Sequence, residues 1–108
     1  MYDRMRGPAN IKDLLYSGYA DASKGGSGRE EPLVFTVDYG KARILHIMTG
    51  HCGPTEEDNP AMQCAGFQTI LLRGAEWAAT GKVTQDVPSD FPTADAISLR
   101  PDYTAPEK

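Results

Sequence analysis

The sequence predicts an α/β fold that is only part of a sandwich, and three observations lead there. Residues 33–39 and 42–49 are β-rich runs separated by Gly40-Lys41, the pattern of a hairpin. Between residues 60 and 79 apolar side chains recur at three- and four-residue steps, which predicts one long amphipathic helix. The chain has 108 residues, and the stretch 82–108 holds four of its eight prolines and little periodic apolar pattern. Roughly 80 residues are left to build a core, near the lower limit for a self-sufficient domain.

Taken in order, the first element is a strand over 13–20, where β-formers follow the turn-like Gly7-Pro8-Ala9-Asn10. Tyr16 and Tyr19 have opposite parity on it, so one of them should face outward. Residues 21–31 are rich in glycine and charge and read as a mobile surface loop. The hairpin follows. A two-residue turn with glycine first suits type II′ and fixes the register. Tyr39 pairs with Ala42, Val37 with Ile44, Phe35 with His46 and Leu33 with Met48 on one side of the sheet. Asp38 meets Arg43, Thr36 meets Leu45 and Val34 meets Ile47 on the other. Both faces are apolar away from the turn, so each needs a cover.

The helix over 60–79 is one cover. Asn59 is placed to cap it, Pro60 to open it and Gly81 to stop it, with Glu56, Glu57 and Asp58 before its positive end. Phe67, Ile70, Leu71, Gly74, Trp77 and Ala78 form the inward stripe, and Gln68, Thr69, Arg73 and Glu76 lie round the other side. The second face is left to the tail, an extended strap with Arg100-Pro101 ending any strand, or to a partner. The division is therefore a core over 1–81 and a Pro-rich tail over 82–108.

Composition narrows the partners. Eleven Lys and Arg against fifteen Asp and Glu give a net charge of −4 and no basic stripe, which argues against nucleic acid. No apolar run approaches a membrane span and the first residues lack a signal-peptide core, so no membrane is expected and a complete chain of this sequence would be cytoplasmic. Cys52 and Cys64 are too few for a disulfide scaffold, though they could form one bridge.

Residues 32–51, Pro-Leu-Val-Phe-Thr-Val-Asp-Tyr-Gly-Lys-Ala-Arg-Ile-Leu-His-Ile-Met-Thr-Gly-His, and 67–81, Phe-Gln-Thr-Ile-Leu-Leu-Arg-Gly-Ala-Glu-Trp-Ala-Ala-Thr-Gly, resemble the C-terminal half of ThuA-like domains. Tyr2-Asp3-Arg4 and the phrase Asp90-Phe-Pro-Thr-Ala-Asp-Ala96 extend the resemblance to nearly the whole chain. Ala42 stands where the family usually has a second turn glycine. The resemblance implies the trehalose-utilisation family within the class I glutamine amidotransferase-like superfamily. It implies a flavodoxin-like sandwich about twice this length, a bacterial source and a role in carbohydrate metabolism. No cofactor is expected.

His51 follows a strand end and opens an acidic loop, where α/β folds place ligand-contacting side chains. By similarity it lies about where class I amidotransferases keep a catalytic histidine. The cysteine nucleophile that such a histidine activates sits on an elbow that this sequence lacks, since neither Cys52 nor Cys64 has a Gly-x-Cys-x-Gly setting. The competing reading is a histidine that orders the loop. Tyr16, Tyr19 and Glu56 are the candidate contacts for a small carbohydrate-like ligand, set against ordinary edge tyrosines and a solvated acidic cluster. His46 and Trp77 read as core. A metal centre gathering His51, Cys52 and Cys64 with the acidic residues matches no recurrent zinc spacing. The sequence therefore favours a ThuA-like segment without a complete catalytic site. A self-associating or partner-binding module, completed by a second copy or the missing N-terminal half, is one alternative. A metal-dependent hydrolase centred on His51 is another.

Overall fold

The computed structural model describes residues 3–6, 10–53 and 60–101. Three strands, β1 (Ile11–Tyr19), β2 (Glu30–Tyr39) and β3 (Ala42–Ile47), form one antiparallel sheet in the order β1-β2-β3. A short helix α1 (Pro60–Gln63) and a long one, α2 (Ala65–Thr80), follow. The architecture is α/β, one three-stranded sheet with one long helix.

The β2–β3 register is the one the turn dictates, with Val34, Phe35, Thr36, Val37, Asp38 and Tyr39 opposite Ile47, His46, Leu45, Ile44, Arg43 and Ala42. Gly40 has φ of 60°. Arg4 alone among the described non-glycine residues has a positive φ, so Lys41 does not, which is the type II′ pattern rather than type I′.

The segment 21–31 is not the mobile loop the composition suggests. Asp21 accepts from the Ser23 amide and hydroxyl and opens a 3₁₀ turn, Ala22–Lys24, that Gly25 closes at φ of 83°. Ala20 and Gly28 then tie the ends, with Ala20 N donating to Arg29 O at 2.9 Å and Gly28 N to Ala20 O at 2.7 Å. Glu31 is 4% exposed and accepts from the Ser27 hydroxyl, the Arg4 amide and Arg29. Ser27 foremost, with Arg4 and Arg29, holds its carboxyl below the usual range against the opposing effect of burial. The segment is held together because its one buried carboxylate gathers three donors on Oε1.

The helix over 60–79 is broken in two. Cys64 adopts φ −65°, ψ 117°, an extended conformation, and bridges to Leu99. Two backbone bonds hold the bridge, Ala65 N to Ser98 O at 3.0 Å and Arg100 N to Gln63 O at 2.8 Å. Asn59, the predicted cap, lies outside the described residues, as do Glu56, Glu57 and Asp58.

α2 packs on β3. A side chain at Gly74 would collide with Leu45, so the missing Cβ sets how closely helix and strand approach. Arg43, on the same sheet face, donates from Nε to Trp77 O (3.1 Å) and Ala78 O (3.2 Å) and from Nη2 to Ala79 O (3.2 Å). It thereby serves the Ala78 and Ala79 carbonyls of the last turn and adds a second donor to Trp77 O, which already accepts from the Gly81 amide. The predicted stripe is rotated: Thr69 is buried at 7% and Leu71 is 44% exposed, because the tail packs along the flank that Thr69 occupies.

That placement corrects the tail as well. Residues 82–101 do not cross to the second sheet face. They follow α2, with Thr84 and Gln85 bonded to Glu76, Arg73 bonded to Gln85 O, and Pro92 seated on Gly66. Glu76 consequently sits below its usual pKa, chiefly through the Thr84 hydroxyl and amide. No described helix is long and apolar enough to cross a membrane.

Candidate functional site

Since α2 rests mainly on β3 and the tail runs beside it, the helix-facing side of the sheet is incompletely filled toward β1. Two hollows result. One, of about 590 Å³, lies among Tyr16, Val34, Thr49, Gly50, Cys64 and Phe67, with residues 91–97 of the tail as its outer wall. The other, of about 470 Å³, lies among Leu15, Leu45, Trp77, Val83 and Val87, with Asp13 and Arg73 as its charged residues. Ile70 and Phe91 border both.

Tyr16 reaches the first hollow because the register irregularity between Leu14 and Tyr16 sets Tyr16 opposite Val34 while Leu14 lies opposite Phe35 on the other face. Tyr16 and Tyr19 are both exposed, and Tyr19 lines neither hollow. Gly50 has φ of 94°, and any side chain there would run into the Phe67 ring, so a glycine lets the loop after β3 close on the rim. His51, the next residue, is exposed and stands outside the lining. Glu56 lies outside the described residues.

Both cysteines are free thiols. Cys52 lies in the loop with Sγ 3.7 Å from Gly50 O, and Cys64 separates two helical pieces. Neither stands on a strand-to-helix elbow. Among the described residues no three His, Cys, Asp or Glu side chains gather where they could hold a metal ion.

His46 lies on the opposite face, stacked on Phe35 with ring centroids 4.6 Å apart. It is not the satisfied core histidine of the sequence reading, since its buried Nε2 has no hydrogen-bond partner. Trp77 is half-buried in the wall of the second hollow. One pairing escaped the sequence reading: Arg100 donates from Nε and Nη2 to the two Asp90 oxygens, each at 2.7 Å, and from Nη1 to Gln68 Oε1 at 2.8 Å. No periodicity signals a pair ten residues apart in irregular chain. Asp21-Ala-Ser23, by contrast, is a recognisable side-chain-to-backbone turn motif.

No family model and no curated protein matches the chain. Among solved structures it is similar to a Parabacteroides merdae ATCC 43184 protein described as ThuA-like, with 70% sequence identity over 96% of this chain and a TM-score of 0.88. Nearly the whole chain thus resembles part of a ThuA-like protein. It spans 37% of the length of that ThuA-like protein, so the hollows and the exposed sheet belong to a fold that the neighbour carries within a longer polypeptide.

Proposed function

We propose that this ThuA-like chain is the C-terminal part of a class I glutamine amidotransferase-like, flavodoxin-like sandwich. It serves carbohydrate metabolism as a binding portion, with residues 1–81 as its body and 82–108 as its strap. The hollow beside Tyr16 seats a carbohydrate-sized ligand, whose ring stacks on the phenol while Thr49 and Thr93 supply hydroxyls. The observation that carries this reading is the single hollow joining Tyr16 to the loop that leads into His51. His51 lies one residue past the rim, near enough in the chain to act on a ligand only with groups from elsewhere. Neither cysteine has the elbow that a histidine-activated nucleophile requires, which supports a chain without a complete catalytic site. Calorimetric titration with trehalose and with glucose tests the reading. Saturable heat that disappears in Tyr16→Ala is expected; no heat from either sugar with the unmodified chain overturns it.

A second reading, association through the sheet, rests on the face opposite α2. There the register aligns two adjacent rows, Ile11–Val37–Ile44 and Leu14–Phe35–His46. Leu14 and Ile44 remain 55% and 40% exposed. Apolar patches of this kind mark interaction sites. Size-exclusion chromatography with light scattering should show self-association that Ile44→Lys abolishes; a monomer at micromolar concentration counts against it.

A further inference from the structure

The tail segment 90–100 has the construction of a lid. Its two ends are fastened together by the paired Arg100–Asp90 contacts, and Arg100 also grips Gln68 on α2 and, through its amide, Gln63 O. Ser98 and Leu99 are tied to the helices by the Cys64–Leu99 bridge, and before them the chain bonds only to its own neighbourhood. Phe91 N donates to Pro88 O, Thr93 N to Ala96 O, and Asp95 N and Ala96 N to the Thr93 hydroxyl. Among the described residues no hydrogen bond runs from 91–97 to the sheet or a helix. Those same residues form the outer wall of the 590 Å³ hollow. Length, tied ends and internal bonding are those of an Ω-loop, a class that often serves function.

The seat of the loop is shaped for a reversible contact. Pro92 rests on Gly66, where a Cβ would come within 3.0 Å of Pro92 Cγ, so the loop closes on bare helix backbone. The fastening itself is partly solvated, with Arg100 and Asp90 side chains 30% and 42% exposed. A pair this open to solvent is screened by salt, so it can open without unfolding the helix beneath it.

We infer that residues 91–97 are a lid over the Tyr16 hollow, hinged on the Cys64–Leu99 bridge, and that Arg100 is its latch, admitting ligand when the Asp90 contact opens. The inference deepens the carbohydrate-binding reading by supplying its gate, and rests on the hollow being the seat that reading assigns. Opening exposes Val34, Phe67 and Ile70 at the base, so the neutral apolar dye Nile red reports it.

Hydrogen exchange and Nile red titration on the full 108-residue chain, unmodified and Arg100→Gln, test the lid. Exchange of the amides at 91–97 and dye binding should both rise, by roughly two- to fivefold, the range that loss of an exposed ion pair supports. Both should return in the charge-swapped Asp90→Arg/Arg100→Asp chain. Faster loop exchange with unchanged dye binding shows a loose loop that gates nothing and overturns the proposal, as does no change in either. If Arg100→Gln loses the α2 circular dichroism, the unmodified chain is read in rising salt, where dye binding must increase for the lid to stand. The dye needs no sugar: a lid that opens with no sugar binding sinks the carbohydrate reading alone, and sugar binding with an inert loop sinks the lid alone.

Discussion

Gly74 shows how a single missing side chain can decide a packing distance. At a solvent-facing helical glycine, alanine gains about 1 kcal/mol. Here the added carbon would meet Leu45, and overpacking costs about 1–3 kcal/mol, so the sign reverses. Gly74→Ala should lower the urea midpoint, and Gly74→Val should lower it further; a raised midpoint would show that α2 can slide away from β3. Glu31 makes a residue-scale prediction of a different kind. With its folded pKa below the ordinary carboxylate value, its contribution is fully present above the unfolded pKa and is lost as pH falls through the folded one. A plot of Tm against pH should therefore drop on the acid side, and Glu31→Gln should flatten that drop. The sequence concealed Glu31, since two adjacent glutamates in a glycine-rich stretch look solvated until Ser27, Arg4 and Arg29 converge on one of them.

Among the elements, the hairpin was legible in its register but not in its ends, since β2 begins at Glu30 and β3 stops at Ile47, and the helix was legible only partly. A two-residue turn counts the register outward from itself, so purely local chemistry settles every pair from Tyr39–Ala42 to Val34–Ile47. The break at Cys64 depends on Leu99, far along the chain, and no pattern near Cys64 announces it. The rotation of α2 has the same origin, because the flank that buries Thr69 is chosen by a tail with no periodicity to read. Arg43 links the two elements. Removing it in Arg43→Ala leaves the last carbonyls of α2 without their cation, a loss of about 0.5–1 kcal/mol. Hydrogen exchange should then show fraying confined to the last turn, with the hairpin amides unchanged.

Across the whole molecule, burial is inverted. Among the described residues the core comprises Ala20, Leu33, Val34, Phe35 and Ala65, while Leu14, Leu15, Tyr16, Ile44, Leu72 and further large apolar side chains are exposed. The sequence signalled this through two apolar faces and one good cover. It misplaced the tail, which thickens the helix side instead of crossing the sheet. The site was legible in outline: Tyr16 and the strand end at Gly50 meet at one hollow, whereas Tyr19 stands away from it. Stability should accordingly be low for the chain's length. Unfolding in urea should show a shallow slope, since little apolar surface remains to be exposed; a slope typical of a compact domain of this length would contradict the open sheet.

The contacts of Arg43 also turn the Gly40-Lys41 turn into a ruler for a helix that begins 24 positions later. Because side chains alternate across a strand, adding one residue to that turn while the strands re-pair by one step would carry Arg43 and Leu45 to the far face together. The helix would lose its end cap and its packing ridge at once. Turn length and helix terminus are thus inherited as one trait, and a loop that looks free to vary is held fixed by a carbonyl cluster on another element.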